Sequence, residues 1–138
     1  MLQADGGTRT ASITGGAVAV AIALNKLIAE GKIKQSPMKK LIAAVSAGVY
    51  EKTPVLDLNY PEDKDAAVDF NVVMTEDLEF VEIQGAGEEA TFSRSEMDQM
   101  LDLSEAGITQ IVKLQKEAIT AAESAQPADL EGLMDAFR

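Results

Sequence analysis

The chain has 138 residues, 46% hydrophobic and 25% charged, which excludes a collagen-like or mostly disordered polypeptide and suffices for one domain with a buried core. Cysteine and histidine are both absent, so disulfide frameworks, zinc–thiolate sites, Ser-His-Asp catalysis and a histidine switch are ruled out. The net charge of −11, from 23 acidic and 12 basic residues, argues against broad nonspecific nucleic-acid binding but not against a local site with a few basic groups or a metal.

The first nine residues hold a turn signal, Gly6-Gly7, and little core material. A helix is expected from Thr10 to Glu30. Strict alternation from Ala17 to Leu24 is strand-like, but the alternate positions are all alanine, the best helix former. Ile13, Val20, Leu24, Leu27 and Ile28 fall on one helical face, and Gly31 stands where a C-terminal cap belongs. Gly15 and Gly16 weaken the helix near its start, which suggests close packing or ligand approach there. The most apolar run, Gly15 to Leu24, is ten residues long, against about 20 for a spanning helix, and no basic segment precedes it. No membrane partner is therefore expected, and a cytoplasmic location is the default.

After the break at Ser36-Pro37, Leu41–Tyr50 and Val55–Tyr60 read as strands around the turn Glu51-Lys52-Thr53. Leu41, Ala43, Val45, Ala47 and Val49 share one face; Leu56, Leu58 and Tyr60 share another. An acidic loop, PEDKDAAVD, follows. Phe70–Thr75 and Leu78–Gln84 form a hairpin across Glu76-Asp77, and the adjacent apolar pair Phe80-Val81 implies burial on both faces or a bulge. Ser93 and Glu96 have capping-box spacing. Beyond them Met97, Leu101, Ile108, Ile111, Val112 and Ile119 trace a helical stripe to about Ala122. The expected fold is α+β: a four-stranded, mostly antiparallel sheet packed by two long helices. Residues 1–122 form the domain and 123–138 a tail, in which Leu130, Leu133, Met134 and Phe137 lie on one helical face.

Two stretches could carry chemistry. In Asp5-Gly6-Gly7-Thr8-Arg9-Thr10, two glycines allow successive N–H groups to line one concavity just before a helix starts, and Arg9 adds a planar fork matched to phosphate oxygens. The spacing fits neither a Walker loop nor a dinucleotide fingerprint, and a plain glycine turn with a solvent-facing arginine also accounts for it. The second stretch is Asp57, Glu62, Asp63, Asp65 and Asp69, whose hard oxygens suit Mg²⁺ or Mn²⁺ and one of which could donate a proton. Taken locally, a solvated acidic loop accounts for it more simply. Together the two would make a phosphoryl-transfer apparatus, if they meet in space.

LQADGGTRTASITG resembles the signature of the ribonuclease PH family, phosphate-dependent 3′-to-5′ exoribonucleases that trim transfer RNA precursors. The resemblance continues through SPMKKLIAAVSAGV and DLNYPEDKDAAVDFNVVMTED into FVEIQGAGEEATFSRSEMDQML, covering roughly residues 2–120. It implies a fold similar to the second domain of ribosomal protein S5 and assembly into rings of six. It also implies inorganic phosphate held at Gly7, Thr8 and Arg9, and Asp63 and Asp69 binding Mg²⁺ or Mn²⁺ beside the scissile bond, Asp69 being the expected general acid. The partner it implies is an RNA 3′ end.

The resemblance covers only the C-terminal half of the family's chain. The other half supplies sheet strands, ring contacts, a further phosphate-contacting arginine and much of the basic RNA-facing surface. Activity of the chain alone is therefore expected to be slow or nil, with completion by a homo-oligomer or a complementing N-terminal half. The alternatives are a non-catalytic fragment acting as a structural or oligomer-forming subunit, and a stand-alone phosphate-binding module.

Overall fold

Ala43, Val45, Ala47 and Val49 are buried on one face of a central strand, as their alternation predicts. The computed structural model describes residues 5–87 and 90–125, so the tail residues Leu130, Leu133, Met134 and Phe137 lie outside the described part. The order of elements is α1 (Thr8–Ala29), β1 (Ile42–Tyr50), β2 (Thr53–Leu56), α2 (Tyr60–Asp65), β3 (Val68–Thr75), β4 (Phe80–Gly87) and α3 (Arg94–Ser124). The strands form a four-stranded antiparallel sheet in the order β2-β1-β3-β4.

The apolar face of β1 joins Phe70, Val72 and Met74 of β3 in a core covered by α3. Ser93 and Glu96 start that helix as a capping box: the Glu96 amide donates to Ser93 Oγ at 3.2 Å and the Ser93 amide to Glu96 Oε2 at 2.7 Å. The buried stripe of α3 includes Met100, Ile108 and Val112 but is centred on the small residues Ser104 and Gly107. A Cβ on Gly107 would stand 2.7 Å from Leu56 Cδ2, so the helix rests on the sheet at backbone distance.

β2 pairs with β1 only from Ala47 to Tyr50, which leaves the edge of β1 at Ile42–Ser46 without a strand. Side chains close it. Thr14 Oγ1 accepts from the Ala44 amide at 3.0 Å and donates to the Ala44 carbonyl at 3.3 Å. Buried Gln115 donates from Nε2 to the carbonyls of Ile42 and Thr14, at 2.9 and 3.0 Å. These bonds satisfy groups that an open edge would leave to water or to another chain, and they seat α1 along β1 beside α3.

That seating corrects the expected face of α1. Its buried residues are Thr10, Ala17 and Ala21, not the stripe Ile13, Val20, Leu24, Leu27 and Ile28, and Val20 is 50% exposed. Close approach to a strand edge needs small and hydroxylic side chains, so Ile13, Leu24, Leu27 and Ile28 are only half-buried. Gly15 and Gly16 have no packing reason, since a Cβ on either meets nothing within 4 Å. At 22 residues α1 is also longer than its apolar run suggests, and by length and composition alone it could cross a membrane; here its Thr14 ties it into the sheet.

The second expected strand ends early. Asp57 adopts φ 58°, the left-handed region, and breaks the extended run. Asn59 and Glu62 then form a capping box, with each side chain accepting from the other's backbone amide at 3.0 Å. The expected loop therefore holds a short helix, and Leu58 and Tyr60 do not share a strand face: Leu58 is buried while Tyr60 begins α2 in solvent. In β4 the bulge alternative holds, with a register shift opposite Val73/Met74; Phe80 and Val81 are exposed rather than buried on both faces.

Candidate functional site

The face of the sheet opposite the core carries the polar residues. Along β1 and β3, Ser46 pairs with Asn71 and Gly48 with Asp69; across to β4, Asn71 pairs with Gln84 and Val73 with Glu82. Paired residues share a face, and so do alternate residues of one strand. Because Phe70 and Val72 fill the core, Asp69 and Asn71 must point to the other side. Asn71 Nδ2 donates to Asp69 Oδ1 at 3.2 Å, which orients that carboxylate.

The glycine turn lies on this face. A Cβ on Gly6 would fall 2.0 Å from the Leu58 carbonyl oxygen, so only glycine allows the turn to press against the segment before α2. Asp5 Oδ1 ties the two together, accepting from the Gly6 amide at 2.8 Å and from the Tyr60 amide at 2.6 Å. Gly7, with φ 69°, is the N-cap of α1, and Thr10 Oγ1 donates to its carbonyl at 2.8 Å. A Cβ there would stand 3.1 Å from Ser46 Oγ, which puts the turn directly over β1.

No side chain caps α1 and its first turn holds no acid. The first amides of a helix have no partner within it and carry its positive dipole end, so the backbone at Thr8 and Arg9 offers donors to an anion. Arg9 reaches across the face: Nη2 donates to Glu82 Oε1 at 2.8 Å and Oε2 at 3.0 Å. Both side chains are roughly half exposed. A carboxylate there occupies the fork that would hold a phosphate oxygen.

The structure thus brings the stretch around Gly7, Thr8 and Arg9 to the sheet face that carries Asp69, and ties it to the start of α2, the helix that contains Asp63. The side chain of Asp63 lies outside what the structure describes. The other carboxylates of the acidic run are placed differently. Glu62 is used in the Asn59 cap and Asp65 is exposed, while Asp57 borders a cleft of about 510 Å³ that Gly6, Gly7 and Thr10 of the turn also line. Among the described residues no three acidic side chains gather as a metal cluster. Of the five carboxylates, Asp69 lies on the sheet face that carries Ser46 and Asn71, and Asp57 lines the cleft beside the turn.

Sequence reasoning on isolated motifs missed Ser46, Asn71 and Glu82, and it included Asp5 in the candidate stretch without a role of its own. Ser46 had a signal, being the lone polar side chain in IAAVSAGV, and Asn71 had one in its spacing of two from Asp69. Glu82 had none, because its place opposite Val73 depends on where the bulge falls.

Comparison with known proteins agrees with this fold. Residues 40–107 match the family model described as 3′ exoribonuclease family, domain 2. The chain is 55% identical over 122 residues to ribonuclease PH of Crocosphaera subtropica, an alignment covering 88% of this chain and 51% of that protein. It is 55% identical over 121 residues to ribonuclease PH of Acaryochloris marina, with the same coverage of 88% and 51%. The chain spans about half the length of the curated relatives it matches. Among solved structures, rice (Oryza sativa) Rrp46 superposes with a TM-score of 0.66 at 18% identity, covering 86% of this chain and 51% of that one. A chain of the Archaeoglobus fulgidus exosome with RNA bound to the active site matches with a TM-score of 0.50 at 17% identity, over 56% of this chain and 30% of that one. At such identities the superpositions establish the fold.

Proposed function

We propose, for a chain that belongs to the ribonuclease PH family, that it carries the phosphate loop and the general-acid carboxylate of a phosphate-dependent 3′-to-5′ exoribonuclease. In that reaction an oxygen of inorganic phosphate attacks the last internucleotide phosphorus of an RNA. The bond from that phosphorus to the preceding 3′-oxygen breaks, a nucleoside diphosphate leaves, and the shortened RNA gains a 3′-hydroxyl. The observation that carries this reading is the seating of the Asp5–Thr10 turn over Ser46 of β1, on the sheet face that the strand register shares with Asn71 and Asp69 of β3.

The Gly7 turn, the first amides of α1 and the Arg9 fork hold phosphate by charge-assisted hydrogen bonds. Binding requires Arg9 to exchange the Glu82 carboxylate for phosphate. Asp69, oriented by Asn71, protonates the departing 3′-oxygen. Phosphoryl transfer depends mainly on positioning and charge stabilisation, and fixed backbone donors supply both without reorganisation. The donor set fits a hard divalent ion, since Mg²⁺ is commonly held by one or two carboxylates plus substrate phosphates. Asp69 and Asp63 are the residues that would hold it, and when bound it would neutralise charge on the phosphates.

The proposed partner is an RNA 3′ end such as that of a transfer RNA precursor. A second copy, or the N-terminal half that the relatives possess, is proposed to complete the surface around it. The test is nucleoside diphosphate release from a short labelled RNA, with and without phosphate. Phosphate-dependent release that vanishes in Asp69→Asn supports the reading, and phosphate-independent hydrolysis contradicts it.

A further inference from the structure

We propose that the Ser46 hydroxyl is a further donor to the anion bound at the Gly7 turn; this rests on the reading of that turn as a phosphate site. Ser46 is 3% exposed, and its Oγ has no hydrogen-bond partner among the described residues. Its backbone is well served, the carbonyl accepting from the Asp57 amide at 2.8 Å, so the side chain alone is unspent. A buried polar group without a partner is costly, and native structures keep few of them.

Packing does not require a hydroxyl here. The neighbours along the strand are Ala44, Val45, Ala47 and Gly48, and alanine would fill nearly the same space. What distinguishes the position is its surroundings. Two hydroxyls flank Gly7, since a Cβ there would lie 3.1 Å from Ser46 Oγ and 3.2 Å from Thr10 Oγ1. Thr10 uses its proton on the Gly7 carbonyl at 2.8 Å. Ser46 has no such use, sits directly opposite Asn71 and lies two register pairs from Asp69, on the same face. The unspent donor therefore stands between the glycine turn and the carboxylate face, where a tetrahedral oxyanion on the first amides of α1 would present an oxygen. A hydroxyl donating to an ionised oxygen makes a stronger bond than one donating to a neutral acceptor.

The experiment is a phosphate titration at constant ionic strength, against chloride, on the full chain and its Ser46→Ala and Arg9→Ala variants, read by thermal midpoint and by the amide shifts of residues 8–10. Ser46→Ala is expected to weaken phosphate binding about tenfold while its phosphate-free midpoint stays level or rises, because an unpaired buried hydroxyl has been removed. Loss of binding in Arg9→Ala with Ser46→Ala unchanged would overturn the Ser46 assignment alone; the hydroxyl would then be satisfied by water. A lowered phosphate-free midpoint in Ser46→Ala with unchanged affinity would make the residue structural and likewise overturn it. Phosphate acting no differently from chloride on the unsubstituted chain would overturn the phosphate reading and this assignment with it.

Discussion

Glu82 holds the fork of Arg9 with a carboxylate where a phosphate is proposed to bind, and the consequence is measurable. The pair is solvent-exposed, so its net worth is about 0–1 kcal/mol. Glu82→Gln should therefore tighten phosphate binding by up to about fivefold in a calorimetric titration, and Arg9→Ala should abolish it. A Glu82→Gln variant that binds phosphate more weakly would mean that Glu82 aligns the arginine instead of competing for it. Gly6 offers a second residue-scale test. A Cβ 2.0 Å from the Leu58 oxygen cannot be accommodated without moving backbone. Gly6→Ala should lower stability by about 1–3 kcal/mol, as overpacking does, and should also weaken phosphate binding by lifting the turn from β1. Gly7→Ala meets a different obstacle, the cost of a left-handed backbone, about 1–2 kcal/mol.

Between elements, the seam of α1, β1 and α3 depends on Thr14 and Gln115. Replacing Thr14 by valine keeps the shape but orphans the Ala44 amide and carbonyl, an expected loss of about 1–3 kcal/mol in denaturant unfolding. Gln115→Leu should cost a similar amount, and because Gln115 also bonds the Thr14 carbonyl the double variant should lose less than the sum. An additive double variant would argue against a shared network. The turn between β3 and β4 adds a pH dependence. A hydrogen bond from Lys116, at 2.6 Å, and then the Leu41 amide hold the Glu76 carboxyl below its ordinary value of 4.5. A carboxyl depressed in the folded state contributes stability above its unfolded value and loses it as pH falls through the folded one. The melting midpoint should therefore drop below about pH 4.5, and Glu76→Gln should flatten that acid limb. This seam also marks how far the sequence could be read. The alternation of β1 and the Ser93–Glu96 cap translate directly, because each depends on neighbours within a few residues. The face of α1 does not, because it is decided by a strand edge that wants Thr14 and Ala17 rather than Leu24 and Ile28. That Gly7 sits over the sheet face carrying Asp69 depends on pairing register, which motif spacing does not encode; only the resemblance to a family linked them.

Considered whole, the molecule leaves apolar surface open. Phe80 and Val81 on the outer strand and Val20 on α1 are each more than half exposed or close to it. Exposed strand edges and apolar patches of this kind favour pairing with another chain. The chain spans about half the length of its relatives, and a second copy or the half of such a protein outside the match is expected to cover these surfaces. Sedimentation at high micromolar concentration should show self-association, or a complex and a raised melting midpoint once the N-terminal half of a ribonuclease PH is added. A clean monomer indifferent to that half would count against both. The alternative of a non-catalytic structural subunit makes the same assembly prediction, so assembly alone does not decide function.

Turnover does. The most direct measurement is nucleoside diphosphate release from a short RNA by this chain combined with the N-terminal half of a ribonuclease PH, in the presence of Mg²⁺, with and without phosphate. Slow or absent release is expected from the chain alone, and from the combination a phosphate-dependent release that disappears in Arg9→Ala and in Asp69→Asn. Release that ignores phosphate or survives Asp69→Asn would contradict that expectation, and so would a stable combination that releases nothing.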